Sequence, residues 1–373
     1  MIVDRVIVEN NFSAEVNSNL IALIQELFAG KLLDLQDDGP DRADWQAALT
    51  PYLGQLWLEV PWLFAEIYFY RRLLEATHYF AAGDSAGVDP FAKQKRAGLV
   101  TAMSAIATIA APLQMGEQTG GRDRLLTLLY GVLWGNQADL SLRPTDSVIA
   151  VQSAITTNVP SSHILIDDTP AVLAYLSGRS PDRIDLIADN AGFELICDLC
   201  LIDFLLTTNL AGTVILHLKA HPTFVSDATI ADVHATLAAL ATDAAPNVTA
   251  FAARLQQHLS SEQLQLQADP FWTAPLSFWE MPASLQTELA QSDLVVIKGD
   301  ANYRRLLGDR QWDFTTPFAA IVAYFPAPLV ALRTLKSEIA AGLQPDQLVA
   351  LPQQDPDWLT NGKWGLIQFV EPA

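Results

Sequence analysis

Asp189 and Asn190 stand side by side in the run "ADNAGFELICDLCLIDFLL", where an apolar stretch ends. Gly192 follows, then a greasy helix carrying Glu194, Asp198 and Asp203. Further on, the apolar run "TVILHLK" leads through "AHPTFVSD" to Asp227. "DLVVIKGD" ends at Asp300, with Asn302 and Arg304 just beyond, and "LRTLK" carries Arg333 and Lys336. Two carboxylates and a carboxamide brought to one edge make a hard, oxygen-only donor set that suits Mg²⁺ or Mn²⁺, with water filling the remaining positions. Basic groups beside it would hold an anion. Taken singly, each feature also reads as something ordinary: Asp-Asn before glycine as a turn and helix cap, "KGDANYRR" as a solvated helix start, Lys336 as a surface lysine. The chemical reading requires that they share an edge.

The elements that would position them begin with helices. "SAEVNSNLIALIQELFAGKLL" places apolar residues at 16, 20, 23, 24, 27 and 28, with Gly30 as a stop. "VPWLFAEIYFYRRLLEATHYF" starts at Pro61, and helical patterns continue to about residue 145. From there short apolar runs end in polar residues at 163–168, 184–190, 213–219, 293–300, 317–324 and 364–370. Helical patterns lie between them at 191–207, 228–242, 247–259, 282–290 and 328–340. This alternation predicts an α/β fold: a three-layer α/β/α sandwich with a mostly parallel or mixed sheet over 146–373, preceded by an N-terminal helical domain over 1–145. The stretch 228–290 predicts a helical insertion with an aromatic loop, "FWTAPLSFWEMP". Ligands of such sheets bind beyond the carboxyl ends of the strands, which is where the polar residues fall.

Composition narrows the function. The 373 residues are 50% hydrophobic and 17% charged, with 22 Lys and Arg against 42 Asp and Glu, a net charge of −20. That field repels nucleic acid and anionic membranes, and a phosphate ester could approach only where a metal or basic residues reverse it. Asp4 and Glu9 interrupt any signal-peptide pattern, and Pro326 and Pro328 break the greasiest run, so the chain reads as soluble and cytoplasmic. The C-x-x-C of Cys197 and Cys200 lies inside an apolar helix with no second ligand pair, and reads as packing.

"DNAGFELICDLCLIDFLL", "HLKAHPTFVSDAT", "VIKGDANYRRLLGDRQW" and the Arg-Thr-x-Lys element, with "WLFAEIYFYRRLLEA" and "DPFAKQK" upstream, together resemble the metal-dependent damage-control phosphatases. The Arg-Thr-x-Lys element resembles that of their third subfamily, which includes proteins also described as acidic-residue methyltransferases. The resemblance implies a metal on Asp189, Asn190 and Asp227, assayed as Mn²⁺, Ni²⁺ or Co²⁺. It implies substrate contacts from Asp300, Asn302, Arg304 and Lys336, and a place for Glu194 near the site. It also implies hydrolysis of small sugar phosphates such as fructose 1-phosphate or fructose 6-phosphate, in metabolite repair. Asp300 would bind a sugar hydroxyl or take a proton from the attacking water. The absence of D-x-D-x-[TV] favours direct water attack over an aspartyl-phosphate. Two other classes stand beside this one: an S-adenosylmethionine-dependent carboxyl methyltransferase, although no G-x-G follows any strand, and a catalytically silent metal-binding interaction protein.

Overall fold

A computed structural model describes residues 2–114, 121–135, 163–179 and 181–372. Among them seven strands form one sheet: β1 (Ile164–Asp167), β2 (Arg183–Ile187), β3 (Thr213–Lys219), β4 (Leu264–Asp269), β5 (Leu294–Lys298), β6 (Leu329–Thr334) and β7 (Gly365–Val370). Their order is β1-β7-β6-β5-β2-β3-β4. The central pairs are parallel; β7 runs antiparallel to β6 and carries β1 parallel to itself, so the sheet is mixed. From β2 the chain builds outward through β3 and β4, then returns to place β5 on the other side of β2. The boundary between β2 and β5 is therefore the topological switch point, and a crevice opens beyond their carboxyl ends.

Helices cover both faces. The helical part supplies α1 (Ile2–Glu9), α2 (Ala14–Ala29), α3 (Arg42–Leu49), α4 (Trp62–Ala76), α5 (Ala92–Gln114) and α6 (Gly121–Gly135). Between strands lie α7 (Thr169–Ser177), α8 (Phe193–Thr207), α9 (Ile230–Ala241), α10 (Pro246–Ser260), α11 (Ala283–Leu289), α12 (Asp300–Leu306), α13 (Phe318–Ile321) and α14 (Pro345–Gln354). Alternation along the strands sorts the core. Ile184, Leu186, Val214, Leu216, Leu294, Val296 and Leu332 face α5 to α10. Ile187, Val295, Ile297, Ala331 and Leu366 face α11 to α14 and the aromatic 271–281 segment. The helices α1 to α4 build two further clusters, into which Phe224 and Val225 of the loop after β3 also pack, while α5 and α6 share the sheet's core. The domain boundary expected near 145 lies outside the described residues. None of the described helices is long and apolar enough to cross a membrane.

Three expectations give way. Residues 317–324 form no strand but the single turn of α13, since a short apolar run between prolines carries no period of its own. The helix expected over 328–340 is β6: its Leu329, Leu332, Leu335 and Ile339 imitate a helical stripe, yet all six strand residues are buried, as a central strand covered on both faces requires. Lys336 therefore lies just past a strand end. The insertion over 228–290 is not purely helical, because β4 with its alternating glutamines forms the sheet's edge.

Candidate active site at the switch point

β2 delivers Asp189 and Asn190, and the loop after β3 delivers Asp227. Backbone bonds lock the two segments together: Ala191 N–H donates to Ser226 O at 2.7 Å, Ala228 N–H to Asp189 O at 2.8 Å, and Asn190 and Asp227 form an antiparallel bridge. The loop itself is strained. Phe224 and Val225 both have positive φ, 47° and 66°, and Ser226 N–H donates to Phe224 O at 2.7 Å. That i→i+2 bond around a positive φ has the pattern of the rare γ-turn, unfavourable for a β-branched residue. Burial holds it: Val225 packs among Val3, Val6, Leu20, Leu73 and Phe91, and Phe224 lies against Tyr70 at 5.1 Å. The helical part thus fixes the turn that presents Ser226 and Asp227. At the loop's exit the Thr229–Asp232 capping box starts α9, and Lys95 bonds Asp232 at 2.8 Å.

On the other side of the switch point, Gly299 has φ of 87°, and a Cβ there would lie 2.1 Å from the Asp189 carboxylate. Only glycine permits this approach. Asp300 is held from behind by Arg333, whose Nε donates to Oδ1 at 2.6 Å, and by the Lys336 backbone N–H at 3.2 Å. Arg333 is fully buried over the Tyr303 ring and also bonds Ile339 O and Ser337. Arg304 ties its Nε to Asp309 at 2.7 Å.

Beneath the edge lies a buried relay. Lys298 Nζ reaches Glu194 Oε1 at 2.8 Å and Asp198 Oδ1 at 2.7 Å. Asn190 Nδ2 then donates to Glu194 Oε2 and to Asp189 Oδ2, each at 2.9 Å, while Asn190 Oδ1 accepts from Ser226 Oγ at 2.6 Å. One ammonium cannot neutralise two buried carboxylates. Burial, with repulsion from Glu194, pushes Asp198 up to about 7 despite Lys298. The Asn190 amide is thereby oriented by its neighbours.

A cleft of about 360 Å³ collects Asp189, Asn190, Ser226, Asp227, Asp300, Arg304 and Lys336 on the sheet side, with Trp62, Leu63, Glu66 and Tyr70 of α4 on the other. Two of the expected contact residues do not line it. Glu194 faces Lys298 and Asn190, and Asn302 is fully buried, its Nδ2 donating to Ala188 O at 3.1 Å and Lys298 O at 2.8 Å, so that it ties β2 to β5. Further along α4, Arg71 pairs with Asp37 and Asp41, and Arg72 with Glu26 and Glu75, away from the cleft. His217 bonds Asp185 at 3.1 Å within the core, and two residues along the same strand face Lys219 meets Asp227 Oδ2 at 3.1 Å. Lys298 falls at the end of the β5 run, but nothing in the sequence pairs it with Glu194 and Asp198, and nothing there brings Glu66 to the cleft. Glu66 stands in the aromatic motif of α4, where the spacing of charge four residues after Trp62 gave no sign of which face it takes. A roomier cleft of about 620 Å³, between α3 and the 275–280 segment, is lined by Asp44, Glu280, Asp309 and Arg305 but by none of Asp189, Asn190, Asp227 and Lys336.

The donor chemistry fits a hard cation. Asp189, Asn190 and Asp227 are 5%, 4% and 2% exposed, and all offer oxygen. Burial, then repulsion from Glu194 and Asp227, raises Asp189 well above the ordinary carboxylate range, with Lys219 and Lys336 opposing. A bound cation would relieve that repulsion. Among the described residues no group of three or more His, Cys, Asp or Glu is arranged to hold a metal; the set here is two acids and an amide, which leaves positions for water and substrate.

Fold and cleft define an α/β protein with a polar cleft at the switch point of its sheet. A family model described as the damage-control phosphatase ARMT1-like domain matches residues 2–350. Damage-control phosphatase ARMT1 of Danio rerio is 37% identical over 394 residues, covering 95% of this chain and 85% of its own. The proteins of the same name from Rattus norvegicus and Homo sapiens are 36% and 34% identical, each over 85% of this chain and over 75% and 76% of their own. A crystal structure of a DUF89 family protein from Pyrococcus horikoshii aligns over 92% of this chain and 91% of its own, at 14% identity and a TM-score of 0.49. The chain belongs to the ARMT1-like damage-control phosphatases, and it is a phosphatase.

Proposed function

We propose that the chain is a divalent-metal-dependent phosphomonoesterase acting on small sugar phosphates, fructose 1-phosphate or fructose 6-phosphate among them, in metabolite repair. The observation that carries the reading is the pairing of Asp189, Asn190 and Asp227 with Arg304 and Lys336 across one small cleft. Asp189, Asn190 and Asp227 would hold the metal, whether Mn²⁺, Ni²⁺, Co²⁺ or Mg²⁺. When bound, such an ion supplies Lewis-acid polarisation of a phosphoryl oxygen and of water.

The chain's own groups do the rest. Lys336 places a point charge, and Arg304 a planar donor, against the equatorial phosphoryl oxygens, where negative charge is spread in the transition state. Asp300, fixed through Oδ1 by Arg333, turns its remaining oxygen to a hydroxyl of the substrate or to the attacking water. Asn190 is oriented by Glu194 and Ser226, and Gly299 keeps Asp189 in place. Glu194 and Asn302 serve by positioning these groups. Released phosphate, measured over a panel of phosphate esters with each metal and after chelation, tests the reading. Metal-dependent turnover of a sugar phosphate that is lost in Asp189→Ala is the expected result. Full activity after exhaustive chelation, or in Asp189→Ala, would sink it.

A further inference from the structure

The α4 wall of the cleft holds a carboxyl group that the mechanism above leaves unused. Glu66 is half-buried and lines the cavity, yet among the described residues it makes neither a hydrogen bond nor an ion pair. Arg304 is its strongest attraction, but the Arg304 Nε is committed to Asp309, and Asp300, Asp227 and Asp309 all repel Glu66. Partial desolvation makes the charged carboxyl less favourable, and a ligand entering the cleft would displace the water that still reaches it, leaving that ligand to supply the hydrogen bond. The partner is then expected from the ligand. Trp62, Leu63 and Tyr70 flank it with apolar surface and aromatic edges.

We propose that Glu66 is a specificity-determining residue, bonding a hydroxyl on the alcohol half of a phosphomonoester whose phosphate lies at the Asp189–Lys336 edge. The inference rests on the phosphatase reading above and adds the residue that reads the alcohol. A hydroxyl suits this position better than an ammonium group. Burial raises the Glu66 carboxyl above its ordinary range; a hydroxyl donates to a carboxylate and accepts from a carboxylic acid, so it bonds in either state, whereas an ammonium needs the ionised form. In the sequence Glu66 occurs one turn after the start of α4, so the helical part contributes directly to substrate choice.

The test compares a hexose 6-phosphate, butyl phosphate and 2-aminoethyl phosphate, all primary alkyl esters, in the full chain with Mn²⁺. Wild type should prefer the hexose ester to the butyl ester in kcat/KM. In Glu66→Ala that preference should fall about 10- to 100-fold, the loss expected for a hydrogen bond to a charged group. Glu66→Gln, which keeps an acceptor, should lose less, and it carries the test if the alanine variant does not fold. An unchanged preference, or equal loss on the hexose and butyl esters, overturns the role of Glu66. Selective loss on the aminoethyl ester overturns the choice of hydroxyl. A wild type inactive on all three esters with every metal would instead defeat the phosphatase reading, and the inference with it.

Discussion

Replacing Gly299 by alanine tests how tightly the switch point is built. Two costs fall on one methyl group. The first is conformational, since φ of 87° with ψ of 167° is open almost only to glycine and costs alanine about 1–3 kcal/mol. The second is steric: the new Cβ would lie 2.1 Å from Asp189 Cγ and Oδ2, so the carboxylate must swing away by roughly an ångström. Gly192 supplies the control, because its φ is 75° but the nearest atom to an added Cβ, Gly98 C, is 3.8 Å off. Gly192→Ala should therefore carry the conformational cost alone, about 1–3 kcal/mol in urea denaturation. Gly299→Ala should lose about 2–4 kcal/mol in all. Its Mn²⁺ affinity by titration calorimetry should also drop by more than about 100-fold, beyond what loss of a supporting contact produces. If both variants bind Mn²⁺ equally well, Asp189 is not a ligand held in place by Gly299, and the geometry drawn for the cleft is mistaken.

Other perturbations probe separate parts. Lys336→Gln should lower kcat/KM for phosphate esters about 10- to 100-fold with an unchanged urea midpoint, because the residue is half-buried at the cleft mouth; a normal kcat/KM would remove it from phosphate binding. Lys298→Met leaves Glu194 and Asp198 buried without their cation and should cost about 3–5 kcal/mol in chemical denaturation, while a loss below about 1 kcal/mol would mean both acids are neutral in the fold. Asp198 titrates near 7 in the fold against 3.8 as the ordinary value, so its contribution to stability is full below about pH 4 and fades as the pH climbs to about 7. Asp198→Asn should flatten that slope between about pH 4 and 7, and identical slopes in urea midpoints would contradict the assignment.

How much of this was legible in the sequence depends on what each residue is surrounded by. β2, β3 and β5 read clearly, because their apolar runs stop at polar residues; Asp189, Asn190, Asp227 and Asp300 were visible for that reason. β6 was not, since a strand buried on both faces loses its alternation, and leucines three apart then pass for a helix. Lys336 is marked in the sequence by the Arg-Thr-x-Lys element rather than by the end of a recognisable strand. Asn302 and Glu194 look like cleft residues in one dimension, but a turn of helix carries their side chains under the edge. Glu66 belongs to a different core from the sheet's, so no local pattern could bring it to Asp300. The positive φ of Phe224 and Val225 left no trace in composition, since neither glycine nor asparagine marks the turn.

That turn makes the order of assembly matter. The conformation that carries Asp227 is uphill for the loop by itself and is bought with apolar surface from α1, α2 and α4. Sheet and loop could form without those helices, but the backbone at Val225 would then have every reason to relax, and Ser226 would swing off the Asn190 amide. A chain cut to begin at α5 should accordingly fold its strands yet be incompetent, and adding the missing helices as a separate peptide should restore competence by latching one valine.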